Sequence, residues 1–194
     1  MWTIQGEPFW DRLKSDGAIS ADPDLVSAGF CGEYEGFRRA YGWLSDRMAE
    51  RIGCPRRGAM PLWAWAQWGG PDRPRPDLRS SGHLPRGERG VRIEFEAAED
   101  SVVLSDFEMW HFVLNGIYIG ETEEGDDSFD AELASMGMDQ YSQKPLPDPE
   151  YRRRVEGSWD RVFDLGGGSN RCIQATLWEI PLSAVTDVKS FTAR

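Results

Sequence analysis

The chain is poor in the side chains that metal and redox chemistry need, with three cysteines and two histidines in 194 residues. Cys31, Cys54 and Cys172 are widely spaced and form no CxxC pair, and an odd number argues against a disulfide framework. His83 and His111 have no partner at ligand spacing, so no metal site is expected. Positive charge is also scarce: 22 Lys and Arg face 33 Asp and Glu, a net −11. That balance disfavours duplex DNA and anionic membranes as partners. No stretch approaches 18 apolar residues, which excludes a membrane-spanning helix. MWTIQGEPFWDRLKSDG lacks the basic and apolar regions of a secretory signal, so reduced thiols in the cytoplasm are the natural reading. There is no GxSxG, Walker loop or GxGxxG in strand–helix context, and the GGGSN run follows a helix and does not join a strand to one. Conventional hydrolase and dinucleotide-fold readings therefore fall away.

What is abundant is tryptophan, nine of them, within a 40% apolar composition. The length predicts one domain, residues 1–194, with a proper core. WTIQ reads as a first strand, and EPFWDRLKSDG as a short helix with Pro8 in its first turn and Gly17 at its end. Residues 34–52 carry Phe37, Tyr41, Leu44, Met48 and Ile52 at helical spacing. PLWAWAQW is the next strand, followed by a long loop rich in Gly, Pro and Arg. VRIEFE alternates strictly, which predicts a half-solvated strand with Arg92, Glu94 and Glu96 outward, and VVL a shorter one. Ser105 and Glu108 have capping-box spacing, predicting a helix over SDFEMWHFVLN with Ser105 as its cap. IYI reads as a strand, and the acidic residues 120–130 as a solvated loop. Asp148 and Pro149 open a helix, and RCIQATLWEIPLSAV is a last strand turned by Pro181. The pattern predicts an α+β fold: a curved, mainly antiparallel sheet with flanking helices.

Within a strand, residues two apart share a face. Thr3 and Gln5 therefore share one side, Trp63, Trp65 and Gln67 another, and Gln174, Thr176 and Trp178 a third. Should these sides meet, indoles and carboxamides would line one cleft suited to a planar amide or base. The competing reading makes the tryptophans core and the glutamines internally satisfied. Asp106 and Glu108 are accounted for by the helix cap and dipole.

With WTIQ, WAWAQW, GVRIEFE, LSDFEMWHFVLN and IQATLWEI in place, the chain closely resembles a bacterial family known only as a domain of unknown function. More remotely it resembles ADP-ribosyltransferases of the DNA-targeting toxin kind, whose last strand carries (Q/K)-A-E. That resemblance implies NAD as substrate in a cleft between the first, aromatic and last strands, and the acidic charge balance favours a small-molecule or protein acceptor of ADP-ribose over duplex DNA. Residue type and predicted face then put Gln5 or Gln67 at the nicotinamide carboxamide, indoles at the ring, and Arg73, Arg75 or Arg79 at the pyrophosphate. The block here reads Gln174, Ala175, Thr176, so a threonine stands where those enzymes have glutamate. Glu179, Asp106 or an acid of residues 120–130 would have to substitute. The alternative is a noncatalytic module of the same fold that binds a nucleotide-like ligand or a protein.

Overall fold

A computed structural model describes residues 1–24, 35–70, 75–166 and 171–194. Among the described residues the strands are β1 (Trp2–Gly6), β2 (Ala18–Ser20), β3 (Leu62–Gln67), β4 (Arg89–Phe95), β5 (Val103–Asp106), β6 (Ile173–Leu177), β7 (Glu179–Pro181) and β8 (Val185–Thr192). The helices among the described residues include α1 (Glu7–Asp16), α2 (Glu35–Ile52), α3 (Phe107–Leu114), α4 (Glu123–Ser135) and α5 (Pro149–Ser158). The main sheet has the order β5-β6-β3-β1-β4-β8, and β2 with β7 forms a second, two-stranded sheet. Neighbouring strands run antiparallel in both. The fold is α+β, as the pattern of elements predicts.

Each face of the main sheet anchors its own core. On one side Leu62, Ala64, Val91, Ile93, Phe95, Ala175 and Leu177 pack with Leu13 of α1 and with Ile19 and Ile180 of the small sheet. On the other, Val103 packs with Ala40, Leu44 and Met48 of α2, Trp110 and Val113 of α3, and Phe129, Leu133, Val155 and Trp159. Much of the tryptophan is spent here. Trp159 is fully buried and donates its Nε1–H to the Ile117 carbonyl at 2.9 Å. Satisfying that one polar atom lets a side chain worth roughly 1.5–3 kcal/mol of burial go fully inside.

Four local expectations are corrected. Ser105 is not the cap of α3: the strand β5 runs through it, and Asp106 is the N-cap, its Oδ1 accepting from Met109 N at 3.0 Å. Either residue type can cap, and the extra strand pairing of Ser105 with Gln174 settles which one does. Residues 117–119 form no strand. The acidic stretch is no loop from Glu123 onward: Thr122 caps α4, whose acidic first turn suits the helix dipole while Phe129 and Leu133, one turn apart, go into the core. The last strand divides in two, because β7 leaves the main sheet to pair with β2 while β8 returns to pair with β4.

A fifth difference has consequences for the site. β4 is not half-solvated, because Arg92 is only 6% exposed although it lies on the face opposite Val91 and Ile93. Residues 75–88 border that side, Pro76 accepting from Arg92 and Arg75 pairing with Glu94.

Candidate functional site

Register decides which of the predicted residues can meet. Trp2 lies opposite Trp65, Trp65 opposite Gln174, and Gln174 opposite Ser105, so four side chains form one cross-strand row on a single face. Directly opposed residues in such a row have Cβ atoms about 5 Å apart. On the other side of Trp2 the row continues to Glu94 and Asp187.

Thr3 and Gln5 belong to the opposite face. They pair with Ile93 and Val91, members of the core beneath α1. Gln5 Nε2 donates to Thr3 Oγ1 at 3.0 Å, and Thr3 Oγ1 donates to the Trp63 carbonyl at 2.9 Å, a chain that ties β1 to β3. Gln67 leaves the alternation as well: a register shift after Trp65 sets it opposite Ile173, where its Nε2 donates to the Arg171 carbonyl at 2.7 Å. The three glutamines thus do not share one hollow, and Gln174 alone stays beside the indoles of β3.

The other named residues have identifiable work. Thr176 is fully buried and its hydroxyl donates to the Val103 carbonyl at 3.2 Å. Glu179 is exposed in the small sheet, with Ser20 donating to it at 3.4 Å. Trp63 packs edge-on against Tyr41 at 5.9 Å and tilts over Trp110 at 5.1 Å. Burial pushes the Tyr41 hydroxyl above its ordinary range. Trp178 donates its Nε1–H to the Gly53 carbonyl at 2.6 Å. Arg75 pairs with Glu94 at 2.9 Å, and Arg79 grips Asp77 with Nε at 2.9 Å and Nη2 at 2.7 Å. Arg73 lies outside the described residues.

Around the row the chemistry is aromatic and polar at once. Trp65 has Phe107 at 5.0 Å and Trp68 at 4.5 Å, both edge-to-face. Its ring is half-buried, while Gln174 is 9% and Ser105 1% exposed. Gln174 Oε1, Ser105 Oγ and Trp2 Nε1 are buried without a hydrogen-bond partner among the described residues. At the next position of β5, opposite Ile173 and not Gln174, Asp106 Oδ2 meets Arg171 Nη1 at 3.1 Å with the carboxylate side chain only 5% exposed. Cys172 donates its thiol to the Trp68 carbonyl. Burial, then Glu108 and Asp106, push that thiol up, which is the wrong direction for a nucleophile. Among the described residues no cluster of three His, Cys, Asp or Glu could hold a metal.

An arrangement of this kind offers a flat apolar wall from an indole and, one strand away, two oxygens able to accept from an amide or ring N–H. Sequence reasoning names Trp65 and Gln174 but passes over Ser105 and Trp2. Two signals pointed to them: VVLS continues the β5 alternation with Ser105 on the side of Val103, and Trp2 heads the same strand as Thr3 and Gln5 but on its other face.

The blocks that build this row lie at both ends of the chain, and one family profile spans them all, matching residues 1–186. The chain belongs to the DUF3841 family, a domain of unknown function. No curated protein and no solved structure matches it. Within DUF3841 the row is accordingly read from its chemistry alone. Among the described residues no helix is long and apolar enough to cross a membrane.

Proposed function

We propose that this DUF3841 chain binds a small ligand bearing a flat ring with an amide or base edge, nicotinamide and adenine nucleotides such as NAD being the leading class. The ligand's ring lies against Trp65 and its polar edge meets Gln174 and Ser105. One observation carries the reading: Gln174 Oε1 and Ser105 Oγ are buried and, among the described residues, unpartnered beside a half-buried indole. A buried polar atom left unpaired costs about 1–3 kcal/mol, and a ligand N–H aimed at it removes that cost. Thr3, Gln5 and Gln67 support the strands from which the row is built, through the hydrogen bonds given above. Trp63, two residues along β3 from Trp65, packs against Tyr41 and Trp110, and Trp178 is tied to the Gly53 carbonyl beyond the end of β6. Arg75 and Arg79 reach a pyrophosphate by exchanging Glu94 and Asp77 for it.

ADP-ribosyl transfer from NAD to a protein or small-molecule acceptor is the second reading, and Asp106 favours it. Transfer needs a carboxylate near the ribose as positive charge develops, and Asp106 directly follows Ser105, nearly enclosed and held by Arg171. Thr176 gives its hydroxyl to the backbone and Glu179 belongs to the other sheet. Binding without transfer is therefore the primary conclusion.

Isothermal calorimetry with NAD, AMP and nicotinamide on the wild type and Gln174→Ala tests the site. The wild type is expected to bind at least one of them, and the variant to bind it about tenfold or more weakly, the loss of one good hydrogen bond. Equal affinity of the two proteins, or no binding of any of the three, overturns the proposal. Release of free nicotinamide from NAD, abolished in Asp106→Asn, would move transfer ahead of simple binding.

A further inference from the structure

A second feature lies at the other end of the main sheet. The β4–β8 register sets Arg92 directly opposite Lys189 on one face. Like charges so placed repel, and a sheet does not keep them without compensation. Arg92 is 6% exposed, its Nε is buried without a partner, and its Nη1 reaches the Pro76 carbonyl at 3.3 Å. Burial and the nearby Arg75 both weaken its hold on its proton, with Glu94 and Asp187 opposing. Glu94 is already engaged by Arg75, and Asp77 by Arg79. Among the described residues neither Arg92 nor Lys189 forms an ion pair.

Both cations line an open cleft of about 620 Å³, together with Pro76, Leu78, Phe191, Arg194 and the Asp77–Arg79 ion pair, which leaves the lining net positive. The floor is shaped closely: at Gly90 an added Cβ would come within 2.8 Å of the Phe191 ring and 2.4 Å of the Leu84 side chain. Glycine there lets Phe191 lie flat over the strand and form the cleft's apolar wall. A cationic cleft is out of character for a chain of net charge −11. Screening confines such fields to roughly 10 Å, so the local sign governs what docks.

We infer that this cleft binds the oxyanion group of a small ligand, a phosphate or a carboxylate, with Arg92 and Lys189 as its cationic contacts and Phe191 as its apolar wall. A guanidinium presents a planar fork that matches paired oxygens, and Lys189 adds a point charge at the rim. A buried, incompletely paired guanidinium is costly in a low dielectric, and the same low dielectric strengthens its attraction for an incoming anion. Arg79, given above to a pyrophosphate, also lines this cleft, but the anion contacts assigned here include neither it nor Trp65, Gln174 and Ser105, so Gln174→Ala should leave phosphate binding here unchanged.

Titration with inorganic phosphate, and in parallel with acetate, at constant ionic strength held by sodium chloride, decides the matter when followed by calorimetry and by amide chemical shifts. The wild type should show saturable binding with shifts at Arg92, Lys189 and Phe191. Lys189→Glu, at an exposed position, should weaken it about tenfold or more, and Arg92→Gln should abolish it. Phosphate tighter than acetate assigns a phosphate-bearing ligand, and the reverse order a carboxylate-bearing one. No saturable binding of either anion, or unchanged binding in Lys189→Glu, overturns the inference. Should Arg92→Gln fail to fold, the Lys189 variant alone decides.

Discussion

Ser105→Ala removes one oxygen from a position that is 1% exposed and where that oxygen has no hydrogen-bond partner. If the hydroxyl is truly unsatisfied, its removal should return about 1–3 kcal/mol of desolvation cost. The void left by a single oxygen, on the order of 10–15 Å³, costs only about 0.3 kcal/mol at the usual penalty per cavity volume. Ser105→Ala should therefore be more stable than the wild type by roughly 1–2 kcal/mol. For a chain of this size that raises Tm by about 2–8 °C. Thermal unfolding and urea unfolding with unchanged m-value measure it. The same variant should bind the ligand of the Trp65 row less well, the trade expected where a fold holds a polar group ready for a partner. A Ser105→Ala protein less stable than the wild type by 1 kcal/mol or more would refute the reasoning, because the hydroxyl would then be engaged within the fold.

Gly90→Ala should displace the Phe191 ring and the Leu84 tip, both partly exposed side-chain ends, at a cost of about 1 kcal/mol or less; urea unfolding checks it, and a loss above about 3 kcal/mol would mean that Phe191 is held rigidly. Asp106→Ala should lose the α3 cap and the Arg171 contact together, about 1–3 kcal/mol, whereas Asp106→Asn keeps most of the cap and loses less; equal losses would show that the cap contributes little. Glu132 should titrate near 2, held below its ordinary range first by Arg154 and then by Tyr151. A carboxyl depressed in the folded state contributes stability above its unfolded pKa and loses it as pH falls toward 2. Carboxyl carbon shifts across pH 1–6 read the midpoint, and Tyr151→Phe should raise it; a midpoint above 4 would show the bidentate pair to be absent in solution.

Reading the sequence alone goes furthest where a single segment carries the whole signal. The helix at 35–52 is written in its apolar spacing, and α1 in Pro8 and Gly17, whose φ of 78° suits glycine at a helix end. α4 is concealed because its acidic composition resembles a solvated loop, although Thr122 and the Phe129–Leu133 pair mark it. β8 is concealed by its edge position, where exposure leaves little hydrophobic pattern to read. For the site, alternation correctly groups Thr3 with Gln5, Trp63 with Trp65, and Gln174 with Thr176. It carries no information on which side of one strand aligns with which side of another. That depends on register, and a single irregularity between Trp65 and Gln67 is enough to take Gln67 out of its group. The partnerless oxygens of Ser105 and Gln174 are a property of three strands packed together, and no local pattern encodes them.

The side-chain amide signal of Gln174, assigned by its loss in Gln174→Leu, tests the central claim most directly when NAD, AMP and nicotinamide are added to the labelled protein. The account predicts that at least one of them moves this signal together with the indole N–H of Trp65, while the Gln5 amide on the opposite face stays in place. A Gln174 signal that none of them moves, or one that moves only along with Gln5, would contradict it.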